Sequence, residues 1–237
     1  MANEPQWRPM SAAQFLDQQE RWLAGQSIQT IYGEMEQTAV VFEGAIFTRA
    51  YKPGPDGSES VPNIYIGAHS RIDSQAKIEG GLGVKIGTHV HIASYAHLNI
   101  GGGELTIGDG AACASGVRVI TGGNAPDAIS CSAVAPLEQQ VLHRRKVVIE
   151  RNACLYAGVL VMPGVVIGEG ARVMPGSIVT HNVPPFEIWR GTPARFLRNR
   201  TDVENVNKAW EGIHHCPDCN GHSRTTPCPF CDNGVPR

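Results

Sequence analysis

Ile149 to Thr180 reads IERNACLYAGVLVMPGVVIGEGARVMPGSIVT, and every sixth residue from its start is a branched aliphatic: Ile149, Leu155, Val161, Ile167, Val173 and Val179. A helix repeats every 3.6 residues and a strand every 2, so neither explains a beat of six. The beat extends backwards through Ile66, Ile72, Ile78, Ile86, Ile92, Leu98, Ile107, Cys113 and Val119, so fourteen of fifteen leading positions are Ile, Leu or Val. Those three residues make up about a fifth of the chain, and chance would place roughly three there. Four residues after most leaders the side chain is small, as at Ser70, Ala76, Ala96, Ala111, Ala153, Ala171 and Ser177. Gly or an acidic residue often follows the leader itself (Gly67, Asp73, Glu79, Gly87, Gly108, Glu150, Gly168), the residue types expected of corner backbone.

A hexad beat is the signature of a parallel β-helix, in which short straight segments form flat faces and the chain turns at each corner. The leader fills the core and the small residue fits beside the corner. Three hexads close one triangular coil, so fifteen make about five coils. Extra residues fall after the third hexad (Val84, Lys85), the sixth (Glu104 to Thr106) and the ninth (Ala125 to Val148), so all leave from one corner. The last insertion exceeds anything a corner requires, and long loops in compact folds are usually functional. This reading divides the chain into a lead-in of residues 1–63, an all-β solenoid of 64–200 with a long loop at 121–148, and a tail of 201–237.

With 20 basic and 22 acidic residues the net charge is −2, which gives no general nucleic-acid surface. No apolar run approaches the roughly 20 residues needed to span a bilayer, and MANEPQWRPM is not a signal peptide, so a cytoplasmic protein is expected. Ser11 with Gln14 forms a capping-box pattern, which predicts a helix ending at Gly25; Ile28, Ile31, Tyr32 and Met35 predict a second helix from Ser27. Both would cover the open end of the solenoid. Val40 to Ala50 reads as a strand pair or an irregular lead-in.

The hexads, the long loop and the segment from Val148 to Arg198 resemble the left-handed β-helix acyltransferases. Pro163-Gly164-Val165-Val166-Ile167-Gly168, Ser177-Ile178-Val179-Thr180, Pro184-Pro185 and Gly191-Thr192-Pro193-Ala194-Arg195 match the family pattern. The resemblance implies left-handed coils, a homotrimer, and an acetyl-CoA groove between subunits. Carried across by position, Ala157 and Gly176 flank the pantetheine, Thr180 touches the cofactor, and Arg195 and Arg198 meet its phosphates. Arginine suits phosphate because its planar fork donates two bonds at once. Met174-Pro175, His181 and Cys154 depart from the family's usual Gly-Ala, Lys and Trp.

In the sugar and antibiotic O-acetyltransferases of this fold a His soon after the Thr-Gly step is the general base, but Gly123 and Asn124 stand there. Compared with a group of polysaccharide acyltransferases, the loop offers Asp127, Glu138 and His143 as matching positions. His143 is the first candidate base, His97 the second, and Asp127 the residue that would orient the imidazole. His91 and His97 occupy the same place in successive hexads, so they point from different faces and cannot converge on a metal within one chain. With His89 they otherwise read as surface histidines.

Cys216-Pro-Asp-Cys219 and Cys228-Pro-Phe-Cys231 are paired C-x2-C knuckles, a spacing that favours tetrahedral Zn²⁺ on four thiolates, with His214, His215 or His222 as alternative ligands. They resemble half of the zinc module of DnaJ-type chaperones. The expected function is acetyl transfer from acetyl-CoA to a saccharide hydroxyl. The alternatives are N-acetyl transfer to an amino sugar, or a non-catalytic trimeric scaffold whose zinc tail recruits a partner.

Overall fold

The computed structural model describes residues 34–36, 38–48, 51–52 and 61–201, together with the short strands 214–215, 222–223, 231–232 and 235–236. Three parallel sheets run the length of the molecule. Face one stacks Glu34–Met35, Ile64–Ile66, Gly83–Ile86, Glu104–Ile107, Lys146–Ile149 and Val166–Ile167. Face two stacks Val40–Val41, Arg71–Ile72, His91–Ile92, Ala112–Cys113, Cys154–Leu155 and Arg172–Val173, and ends with the hairpin Glu187–Gly191 and Ala194–Asn199. Face three stacks Ile46–Thr48, Lys77–Glu79, His97–Ile100, Arg118–Ile120, Leu160–Val161 and Ile178–Val179. The chain visits the faces in rotation, which makes this a parallel β-helix.

Leader lies over leader in every pairing, as in Phe47, Ile78, Leu98, Val119, Val161 and Val179 on face three. Nearly all the leaders are fully buried, and each contributes about 1.5–3 kcal/mol by leaving water. Ala76, Ala96, Ala111, Ala153 and Ala171 are buried beside the corners, as the spacing predicts.

Four expectations change. Met35, Val41 and Phe47 are also spaced by six and form a complete coil ahead of Ile66, so there are six coils rather than five. Val40–Val41 and Ile46–Thr48 therefore pair with the next coil and not with each other. Met35 lies in a strand on face one, not in a helix; the remainder of that helix, and the one from Ser11 to Gly25, lie outside the described residues. The corner is three residues after the leader rather than one, since His69, Gln75, His89, Tyr95 and Asn152 all have φ between 55° and 64°. The glycine after the leader serves a different purpose. A Cβ on Gly108 would lie 2.6 Å from the backbone nitrogen of Arg151 in the next coil, so the coils can close up only without it.

Extra residues occur only in passages from face three to face one, between Phe47 and Ile66, Ile78 and Ile86, Leu98 and Ile107, and Val119 and Ile149, whereas Val161 to Ile167 is a plain hexad. The 121–148 loop leaves from this corner at the third of the five original coils. Past Pro184-Pro185, the hairpin extends face two, with Arg172 opposite Ile188 and Val173 opposite Trp189. Among the described residues no helix is long and apolar enough to cross a membrane.

Candidate active site on face three

Face three carries His97 and is bordered by Ala157, Gly176 and Thr180. The residue before each leader points outward, and in register these form the column Ile46, Lys77, His97, Arg118, Leu160 and Ile178. Ala157 and Gly176 stack at the edge where face two turns into face three, the Gly176 N–H donating to the Ala157 carbonyl at 2.9 Å. Thr180 stands at the opposite edge, its hydroxyl 2.9 Å from Nδ1 of His181. Between these edges lie Leu160 and Ile178, so the three candidates border one apolar strip on the last two coils.

Arg195 and Arg198 sit apart from this strip, exposed on the terminal hairpin. Arg190 is directly opposite Arg195 in the antiparallel register. Like charges directly opposed on a ribbon destabilise it unless an anion lies between them. Arg190 escapes a linear reading because only the hairpin register brings it beside Arg195.

The long loop is an antiparallel ribbon, Gly122–Asn124 against Leu142–Arg144, with a single 3-10 turn at Leu137–Gln139. Its root is buried and polar. The Thr121 hydroxyl donates to Oδ1 of Asn99 at 2.9 Å and accepts from the Gly103 N–H at 2.7 Å, and the side-chain amide of Asn99 donates to the Glu79 carbonyl. Both Asn99 and Thr121 are fully buried. His143 pairs across the ribbon with Gly123 and is exposed. The returning strand thus brings an imidazole beside the place that lacks the family's histidine. Asp127 and Glu138 are exposed further along the ribbon, and among the described residues no hydrogen bond or ion pair joins either to His143.

His91 and His97 do face different ways, as their spacing requires, but neither is merely a surface histidine. His97 Nε2 donates to Oε1 of Glu79 at 2.9 Å, and His91 Nε2 donates to Oδ2 of Asp73 at 3.0 Å. Each carboxylate also meets a cation on its own strand, Lys77 at 2.9 Å and Arg71 at 2.6 Å. Burial alone would raise the pKa of Glu79. Hydrogen bonds from Lys77 and His97, with their charges, outweigh that and hold it below the usual carboxylate value. Asp73 is lowered in the same way, with burial opposed by Arg71 and His91. The sequence holds a signal for these pairs: leaders stack, so K-I-E at 77–79 must lie beneath H-L-N at 97–99.

The four tail cysteines hold no described site. Cys216, Cys219 and Cys228 lie outside the described residues, and Cys231 belongs to the strand Cys231–Asp232, paired with Val235–Pro236. A second pair, His214–His215 with His222–Ser223, brackets the first knuckle in sequence.

Residues 146–181 match the bacterial transferase hexapeptide (six repeats) family. A dTDP-4-amino-4,6-dideoxy-D-glucose acyltransferase of Escherichia coli is 31% identical over 152 residues, which covers 62% of this chain and 79% of that one. The chain is a hexapeptide-repeat acyltransferase. A galactoside O-acetyltransferase of Lactococcus lactis is 34% identical over 127 residues, 53% of this chain and 57% of that enzyme. Among solved structures, a variant of AntD, an N-acyltransferase from Bacillus cereus in complex with dTDP-4-amino-4,6-dideoxyglucose and coenzyme A, aligns with a TM-score of 0.65 at 26% identity, over 81% of this chain and 96% of that one. These hexapeptide-repeat neighbours are consistent with left-handed coils. They also remove the non-catalytic scaffold as an account of the solenoid.

Proposed function

We propose that this acyltransferase moves an acetyl group from acetyl-CoA to a saccharide hydroxyl, and that it works as a homotrimer with its groove between subunits. The observation that carries the reading is the placement of His143, across the ribbon from Gly123, at the root of a loop anchored to face three. The acyl donor lies along Leu160 and Ile178, between Ala157 and Gly176 on one side and Thr180 on the other. Its phosphates are met by Arg195 and Arg198, with Arg190 beside them.

The saccharide oxygen gives its proton to His143 as it attacks the thioester carbonyl. The tetrahedral oxyanion is held by backbone N–H groups, and its collapse expels the thiolate, which takes the proton back from the imidazolium. Asp127 orients His143 when the ribbon closes on its substrates. The apolar side chains exposed on the ribbon, Ile129 and Val134, support a neighbouring subunit as their cover. His143→Ala should lower turnover by about 10²–10⁴-fold with the trimer intact. An unchanged rate removes His143 from the mechanism.

A second reading, N-acetyl transfer to an amino sugar, is favoured by the Escherichia coli relative and by AntD. An amine that reaches the site unprotonated attacks without a strong base, so the two readings differ in their dependence on His143. Release of CoA from acetyl-CoA is the assay, with p-nitrophenyl galactoside and dTDP-4-amino-4,6-dideoxyglucose as acceptors. Turnover of the first alone supports the hydroxyl, turnover of the second alone the amine, and neither would sink the saccharide reading.

We assign the tail one structural Zn²⁺ on Cys216, Cys219, Cys228 and Cys231, because four thiolates form a closed tetrahedral set. Bound there, the metal would fold a segment too short to have its own core. Free thiolates and an acyl-CoA donor both suit a reducing cytoplasm. One zinc per chain by elemental analysis, lost from a Cys216→Ser, Cys228→Ser variant, is the expected result; a metal-free native protein would overturn it.

A further inference from the structure

Lys77, Glu79, His97 and Arg118 form a continuous polar patch in the middle of face three that the acyl-transfer chemistry above leaves unused. His97 lies over Lys77 in one direction and under Arg118 in the other, so these and Glu79 are the charged groups its neighbouring strands present. Oε1 of Glu79 accepts from both His97 Nε2 and Lys77 Nζ at 2.9 Å. A carboxylate can only accept, so the ring proton of neutral His97 must sit on Nε2, and Nδ1 carries the lone pair. Side chains here are partly exposed, 30% for His97 and 22% for Glu79, which leaves them reachable yet held.

The patch therefore offers donors at Lys77 and Arg118 beside an acceptor at His97. That alternation matches vicinal hydroxyls, each of which donates once and accepts elsewhere. It also lies on the face that carries the ribbon root and the apolar strip, and its Arg118 stands on the strand Arg118–Ile120 that leads into the ribbon. Face two provides the contrast: Arg71, Asp73 and His91 repeat the same geometry but have no candidate residue for acyl transfer around them.

We propose that this patch is the saccharide subsite of the proposed reaction, with Glu79 as the positioning residue that makes His97 Nδ1 a hydrogen-bond acceptor for a sugar hydroxyl. The assignment rests on the saccharide reading above. A site that pairs with a hydroxyl discriminates against a sugar that lacks it, because its polar groups then lose that partner.

Two measurements test it. Imidazole ¹⁵N shifts of the histidine-labelled apo protein should show His97 with its proton on Nε2, and Glu79→Gln should shift it towards the other tautomer. A wild-type Nδ1–H would overturn the role of Glu79 whether or not any sugar is a substrate. With whichever acceptor turns over, p-nitrophenyl galactoside or dTDP-4-amino-4,6-dideoxyglucose, Glu79→Gln should raise the acceptor KM about tenfold, the worth of one charge-assisted hydrogen bond. The values of kcat and of KM for acetyl-CoA should stay within about twofold, as expected when only ground-state and transition-state binding of the acceptor are lost together. In a His97→Ala background Glu79→Gln should add nothing, a coupling that general loosening of the fold would not produce. Asp73→Asn, the same change on face two, should leave the acceptor KM alone. Equal effects of Asp73→Asn and Glu79→Gln, or additivity with His97→Ala, would refute the subsite. Absence of turnover with both sugars in the wild type would instead refute the reaction itself.

Discussion

Replacing Thr121 by valine keeps the shape of the side chain and removes the hydroxyl that ties the ribbon to the solenoid. Two partners are then orphaned in a fully buried place: Oδ1 of Asn99, now 2.9 Å from a methyl group, and the Gly103 N–H, now 2.7 Å from one. Leaving a buried polar group unpaired costs about 1–3 kcal/mol, so the two together destabilise by about 3 kcal/mol or more. For a chain of this length that corresponds to a fall in Tm of about 6–12 °C. In a solenoid each coil contacts only its neighbours, so the damage should stay local. Hydrogen exchange should quicken at residues 99–106 and 121–145 and stay unchanged at 160–180. Thr121→Ser restores both bonds and should recover most of the loss. If Thr121→Val costs under about 0.5 kcal/mol and exchange in the ribbon is unaltered, the buried network is not what holds the ribbon.

Gly108→Ala should cost about 1–3 kcal/mol in urea unfolding, since its Cβ meets the Arg151 backbone, whereas Gly123→Ala, with nothing within 4 Å, should be neutral. Iodoacetamide on the folded protein near pH 8 should modify exposed Cys131 and spare Cys113, whose thiol burial pushes up to about 12; denaturant should abolish that difference, read by peptide mass spectrometry. Asp73 is held below its ordinary pKa in the folded state, so the stability it contributes is full above the unfolded value of about 3.9 and is lost as pH falls through the folded one. Wild type should therefore exceed Asp73→Asn in stability at pH 7, and the two should converge below that range; a gap that widened on acidification would reverse the sign of this argument.

The architecture was legible because its signal is redundant. Each leader repeats the same demand for a buried branched side chain, so a single lapse, Cys113, cannot hide the beat. The first coil was harder to see because Met35, Val41 and Phe47 are separated from Ile66 by a gap three hexads long, and a Met leader looks as much like helix as strand. The corner was misplaced for a chemical reason. Glycine answers two separate needs, left-handed backbone and close approach, and at Gly67, Gly87 and Gly108 it answers the second while His69, His89 and Asn152 meet the first with side chains intact. His143 is a candidate from the loop it occupies, but its opposition to Gly123 needs the ribbon register. Glu79 and Arg190 were invisible one residue at a time, since the partner of each is supplied only by the stacking of coils or the folding of the hairpin.

The prism has one edge that takes up insertions and two that carry none. The ribbon 121–148 springs from the permissive edge, and so do the shorter insertions in the coils that precede it. A protein engineer could treat that edge as a row of sockets: new loops inserted there would leave the stacking of leaders untouched, and loops from neighbouring coils would stand in line with the ribbon. At the other two edges the chain steps from leader to leader in six residues at every passage, so a graft there would have no existing loop to replace.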